Sequence, residues 1–148
     1  MTAEMSAGTV STAVLRKAVE TYWTAADARD WEAFAATLDD DVVYEVPQTR
    51  EVVRGKERCV RFNREYPGDW HVRVDRIVAD LPEHPAGAGE AGLGGQAAAR
   101  TLFTVGEAEL DGIHFFSFDT RGRITAVTDF WPEPYEPPTG REYLVERV

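Results

Sequence analysis

Residues 113–131, IHFFSFDTRGRITAVTDFW, decide how the rest of the chain is read. Phe116 and Phe118 alternate with Phe115 and Ser117, a period of two that marks a strand. The arm is apolar on both faces near its start, as in a central strand covered on both sides. Asp119-Thr120-Arg121-Gly122 supplies a turn, with an Asp to bond local backbone and a Gly free to take positive φ. The second arm, 123–131, is rich in Thr, Val, Ile and aromatic residues. Two titratable groups, His114 and Asp129, stand within this apolar hairpin. If four residues close the loop, they lie opposite each other on one face. If three do, with Gly122 as a bulge, they point to opposite faces, and the sequence leaves both registers open.

Working outward, the chain from Ser11 carries Val14, Leu15, Ala18, Val19, Tyr22, Trp23 and Ala26 at i, i+3/i+4 spacing, which predicts a long amphipathic first helix to about Arg29. Asp30 is placed to cap a short second helix with Trp31, Phe34, Ala35 and Leu38 inward. Asp39-Asp40-Asp41 ends that pattern, and 42–46 reads as a strand stopped by Pro47. A short β-like piece at Val52-Val53 precedes Gly55, which opens a third helix over 56–66. Residues 70–78 and 97–105 alternate as strands, and another begins at about Glu107. Between them, 80–96 is rich in Gly, Ala and Pro and lacks periodicity, as in a mobile loop. Residues 1–9 read as a flexible N-terminus, 10–134 as one domain, and 135–148 as an extended tail.

Helices first and strands later argue an α+β fold: a cone-shaped α+β barrel whose curved, mixed or antiparallel sheet wraps around the long N-terminal helix. Such a cone encloses an apolar cavity suited to an apolar small molecule. The 148 residues are enough to bury a core without disulfides or metals. A formal net charge of −10 excludes the basic face that nucleic acid requires. No run of about 18 apolar residues is present, so no membrane span is expected, and no signal peptide is visible. One cysteine, Cys59, forbids an internal disulfide and fits a cytoplasmic, reducing location. His71, His84 and His114 lack metal-ligand spacing, and no phosphate-binding glycine motif follows a strand, so neither metal nor cofactor is expected.

The chain resembles the nuclear transport factor 2-like superfamily, and within it the SnoaL-like, polyketide cyclase-like branch. The likeness is carried by Tyr22-Trp23, by ARDWEAFAATLDDDVVYEVP at 28–47, by Arg54-Gly55-Lys56 and by Gly122-Arg123-Ile124. The superfamily holds isomerases, cyclases, dehydratases, hydrolases and binding modules, many of them homodimers through the open sheet face. Against ketosteroid isomerases, Tyr22 matches the first-helix tyrosine, His114 stands where the strand acid would be, and the base position falls at Val46, which takes no proton. Against SnoaL-like cyclases, Asp129 and His114 look like the last-strand acid/base and its histidine, which close a ring by removing a proton α to a carbonyl. Against scytalone dehydratase-like lyases, Asp27 matches a segment at the end of the first helix, and His71 aligns loosely with a strand histidine.

The expected site therefore has Asp129, His114 and Tyr22 as catalytic groups. Trp23, Asp27, Tyr44, Val46, Phe116, Val127 and Trp131 would line the substrate pocket. The alternatives are a non-catalytic binder in which these groups only orient a ligand, and a dimeric interaction module with a filled core. For Asp129 the structural reading is a carboxylate bonded to Arg123, Thr128 or backbone.

Overall fold

A computed structural model describes residues 10–82 and 93–148. The expected flexible N-terminus and most of the 80–96 segment, His84 included, lie outside those residues.

Helix α1, Thr12–Ala28, begins where Ser11 accepts a hydrogen bond from the Val14 N–H. It buries the stripe Leu15, Val19, Tyr22, Trp23, Ala25 and Ala26. It stops at Arg29, whose φ of 63° is left-handed. A non-glycine residue there needs outside support. The Arg29 guanidinium supplies it, donating to the Trp70 carbonyl at 2.6 Å and lying 3.8 Å over the Trp70 ring. Asp30 then caps α2, Trp31–Ala36, by accepting from the Ala33 N–H.

Strand β1, Leu38–Val46, starts four residues earlier than its apolar run. Leu38 is buried and pairs with Ile124, and the acidic triplet 39–41 is carried within the strand across an irregular register. β2, Glu51–Arg54, folds back antiparallel on β1. α3, Lys56–Arg64, follows Gly55 and buries Cys59. The strands β3 (Trp70–Asp80), β4 (Gly95–Val105), β5 (Ala108–Phe118) and β6 (Ile124–Phe130) complete a six-stranded sheet in the order β2-β1-β6-β5-β4-β3. β1 and β6 run parallel and every other neighbouring pair antiparallel, so the sheet is mixed.

The expected α+β cone is what forms: α1 packs against β3 and β4, and the inner sheet residues close on it. One expectation about the hairpin fails. β5 is not covered on both sides, because Phe115 is 51% exposed and Ile113 and Val78 are exposed with it on the outer face. The helices lie on the inner face alone, which leaves that apolar stripe open. Past β6 the chain has only a short 3-10 turn, Glu142–Leu144, and Tyr135, Tyr143 and Leu144 are exposed. No helix among the described residues is long and apolar enough to cross a membrane.

Candidate active site

The β5–β6 hairpin closes through three residues, since the Asp119 N–H donates to the Arg123 carbonyl and Gly122, at φ 85°, fills the left-handed position. The Asp119 carboxylate holds this loop by accepting from the Arg121 and Arg123 N–H groups. Such a loop by itself would send His114 and Asp129 to opposite faces. A second irregularity reverses this: Phe118 pairs with Ile124 but Ser117 with Ala126, so Thr125 is an extra residue. His114 then stands directly opposite Asp129, both side chains inward.

The two form a chain of hydrogen bonds with residues from two other strands. His114 Nδ1 lies 2.7 Å from Asp129 Oδ1, and His114 Nε2 lies 2.7 Å from Thr101 Oγ1 on β4. Tyr44 on β1 donates its hydroxyl to Asp129 Oδ2 at 2.5 Å. With Asp129 ionised, Nδ1–H of His114 is the donor and each carboxylate oxygen accepts one bond. Arg123 and Thr128, the alternative partners for Asp129, are not bonded to it; Thr128 faces Glu45 instead. Burial pushes the Tyr44 phenol well above its ordinary range, and the Asp129 charge and hydrogen bond push it further. It therefore stays a neutral donor. Gly112 makes room for the histidine, since a Cβ there would sit 2.6 Å from both His114 Nε2 and Thr101 Oγ1.

Asp129 is 2% exposed, yet it borders a cavity of about 150 Å³ between α1, α3 and the sheet. Aromatic rings dominate the wall: Trp23, Tyr44, Phe62, Tyr66, Trp70, Phe103 and Trp131, with Val46. Exposed Thr49 and Glu51 mark where it meets solvent, and Asn63 adds an amide. A larger concavity of about 820 Å³ lies on the other side of α1, against β3, lined by Arg16, Arg73, Asp75 and Arg76 among others. It is an open charged groove that Asp129 does not border.

Of the expected pocket residues, Asp129, Trp23, Tyr44, Val46 and Trp131 line this cavity. His114, Tyr22, Phe116 and Val127 do not; each is at most 1% exposed and packs behind the wall. His114 touches two wall residues, with ring centroids 4.4 Å from Trp23 and 5.3 Å from Trp131. Tyr22 is enclosed by Trp23, Phe34 and Phe116, and burial followed by the neighbouring Cys59 raises its pKa well above the usual tyrosine value. Asp27 turns away from the cavity, accepting from the Val72 N–H at 2.9 Å and facing His71 Nδ1 at 3.2 Å. It fastens the end of α1 to β3.

Thr101, Gly112, Phe62, Asn63, Tyr66, Trp70 and Phe103 belong to the site without having been expected there. Gly112 alone carried a local signal, a lone glycine inside a strand pattern. No cluster of three or more His, Cys, Asp or Glu suited to a metal ion occurs among the described residues.

Residues 19–127 match the model of the SnoaL-like domain family. A solved structure from Kribbella flavida, described as a candidate ketosteroid isomerase, is 44% identical over 93% of this chain and 91% of its own, with a TM-score of 0.80. An epoxide hydrolase from M. tuberculosis is 26% identical over 82% of this chain and 84% of its own, with a TM-score of 0.59. An NTF2-like protein of unknown function from Burkholderia xenovorans shares the fold at 20% identity, covering 91% and 95%, with a TM-score of 0.67. No curated protein sequence matches the chain.

Proposed function

The chain belongs to the SnoaL-like family of the nuclear transport factor 2-like superfamily, and from the site this member builds we propose that it catalyses proton transfer on a small apolar carbonyl compound, as an isomerase or cyclase. The carrying observation is Asp129: a carboxylate at the buried side of an aromatic cavity, with both oxygens held by hydrogen bonds. Asp129 takes a proton α to the carbonyl and returns it to a carbon in an isomerisation, or to the new alkoxide oxygen once the enolate carbon has attacked a second carbonyl in a ring closure. His114 does not touch the ligand; it orients Asp129 from behind and is itself fixed by Thr101. Tyr44 holds the second oxygen.

One buried carboxylate suits a proton shuttle better than the hydrolysis named for the M. tuberculosis neighbour, which asks for one group to activate water and another to protonate the leaving oxygen. The ketosteroid isomerase description of the Kribbella relative fits the reaction class. The substrate is smaller: about 150 Å³ holds a single ring, the size of a cavity that takes benzene. Either the compound has one ring or only its reacting end enters. Val46 lines the wall as an apolar contact. A reducing compartment such as the cytoplasm fits the single buried Cys59.

The test is exchange of the α-protons of cyclohexanone into heavy water, followed by NMR. Wild-type protein accelerates it and Asp129→Asn does not. A non-catalytic binder would leave exchange at the buffer rate while still binding the ketone. The open apolar stripe of Phe115, Ile113 and Val78 supports a homodimer through the outer sheet face. Light scattering should then show a dimer that Phe115→Glu converts to monomer; a wild-type monomer at high concentration removes this second reading.

A further inference from the structure

We propose that the cavity takes an organic cation: the carbonyl compound carries an alkylated ammonium group, held among the aromatic rings beside the Glu51 carboxylate at the mouth. This rests on the carbonyl reading above and gives its substrate class; the apolar surface of the compound is then its methyl groups.

The charge of the wall has one sign. Asp129 and Glu51 both line the cavity, and among the described residues no lysine, arginine or histidine does. The groove on the other side of α1 differs, with Arg16, Lys17, Arg73 and Arg76 in its wall. Arg29 lies over the Trp70 ring, but it is bonded to the carbonyls of Ala26, Asp27 and Trp70 and does not line the cavity. A carboxylate or phosphate ligand would meet two negative charges in an aromatic space with no counter-ion. A cation is attracted by both.

Register places Glu51 for this. It stands opposite Val46 across β1 and β2, as Val53 stands opposite Tyr44. Directly opposed residues share a face, so Glu51 is on the side of the sheet that carries Tyr44 and Val46 into the cavity wall. Its Oε1 accepts the Thr49 hydroxyl at 2.6 Å, and its Oε2 has no partner among the described residues.

The rings form a belt around the same space. Tyr44 meets Phe62 at 5.3 Å and 46°, Phe62 meets Tyr66 at 6.4 Å and 59°, Tyr66 meets Phe103 at 6.0 Å and 85°, and Phe103 meets Trp131 at 5.3 Å and 64°. None of these steps is a face-to-face stack, so the rings do not cover one another's faces. Several aromatic rings beside a carboxylate make the kind of cage that selects quaternary ammonium groups.

The positive nitrogen also serves the reaction. When the α-proton passes to Asp129, the C–H electron pair becomes the new C=C bond and the carbonyl π pair moves onto oxygen. A cationic nitrogen in the same molecule offsets that negative charge where the wall supplies no cation. In an isomerisation, return of the proton from Asp129 to carbon reverses the electron flow with no other reactant.

The experiment compares acetonyltrimethylammonium with neopentyl methyl ketone, in which carbon replaces the nitrogen and the shape is kept. By titration calorimetry at low salt, wild type should bind the cation about tenfold more tightly. Glu51→Gln should lose most of that preference, whereas Glu57→Gln, an equal change of net charge on exposed α3 outside the cavity, should keep it. Equal affinity for the two ketones in wild type, or tighter binding of the neutral one, overturns the inference without any variant. Equal loss in both variants overturns it as well, because the preference then comes from the net charge of −10. A preference dependent on Glu51 without Asp129-dependent exchange keeps the cation site and removes the catalytic reading. Asp129-dependent exchange of cyclohexanone without any preference does the reverse.

Discussion

Among the described residues, two histidine–aspartate pairs join the same atoms, Nδ1 to Oδ1. His114 Nδ1 meets Asp129 Oδ1 at 2.7 Å with side chains 0% and 2% exposed. His71 Nδ1 meets Asp27 Oδ1 at 3.2 Å with side chains 61% and 38% exposed. The first is enclosed by Trp23, Trp131 and the sheet, and its remaining polar atoms are taken up by Thr101 and Tyr44. The second sits in water, with Asp69 also near His71 at 3.5 Å, and Asp27 gives a lone pair to the Val72 N–H. Exposed pairs contribute about 0–1 kcal/mol, whereas removing one partner of a buried pair costs about 3–5 kcal/mol. Environment, not residue type, separates a site from a clasp.

The largest expected difference between the pairs is in activity. Asp129→Asn should lower α-proton exchange by roughly 10²–10⁴-fold, while Asp27→Asn leaves it within experimental error. Equal losses would make the buried pair no more functional than the exposed one. Stability comes next. His114→Ala should lower the free energy of unfolding by about 3–5 kcal/mol, read from urea midpoints, against about 0–1 kcal/mol for His71→Ala.

Two substitutions probe how the buried pair is held. Gly112→Ala pushes a methyl onto His114 Nε2 and Thr101 Oγ1, and should cost about 1–3 kcal/mol by the same measurement. Tyr44→Phe leaves Asp129 Oδ2 buried without its donor and should cost about 1–3 kcal/mol, together with slower exchange. A Tyr44→Phe protein with wild-type stability and rate would show that Tyr44 only packs.

The smallest effect concerns alkaline pH. Burial, with the Asp129 charge second, pushes the Cys59 thiol from 9.0 up to about 12. The folded state keeps this proton over a window in which the unfolded chain loses it. Stability is therefore intact below about pH 9 and falls as pH rises toward 12. Tyr22 and Tyr44, both raised by burial, act in the same direction above the ordinary tyrosine range. Urea midpoints of Cys59→Ala should decline less steeply with pH than those of wild type; parallel declines would assign the loss to the tyrosines alone.

Much of this was readable along the chain because it depends on near neighbours. Ser11 and Asp30 cap the helices they precede, and the apolar stripe from Leu15 to Ala26 predicts which side of α1 is buried. Alternation predicts β3 to β6, and two polar residues in a greasy hairpin single out His114 and Asp129. Each of these is a matter of two to four residues' spacing, which local backbone geometry converts directly into direction.

What folding alone decided lies in register and in contacts between distant strands. One extra residue at Thr125 turns Asp129 inward, and a period-two pattern reads nearly the same with or without it. Parallel pairing of β1 with β6 starts β1 at Leu38 and brings Tyr44 to a carboxylate 85 positions away. Asp27 and Trp23 stand four residues apart on one helix, yet one clasps the edge strand and the other lines the cavity. Helix spacing places both side chains, but the partner each one meets comes from strands far along the chain, and only packing chooses it.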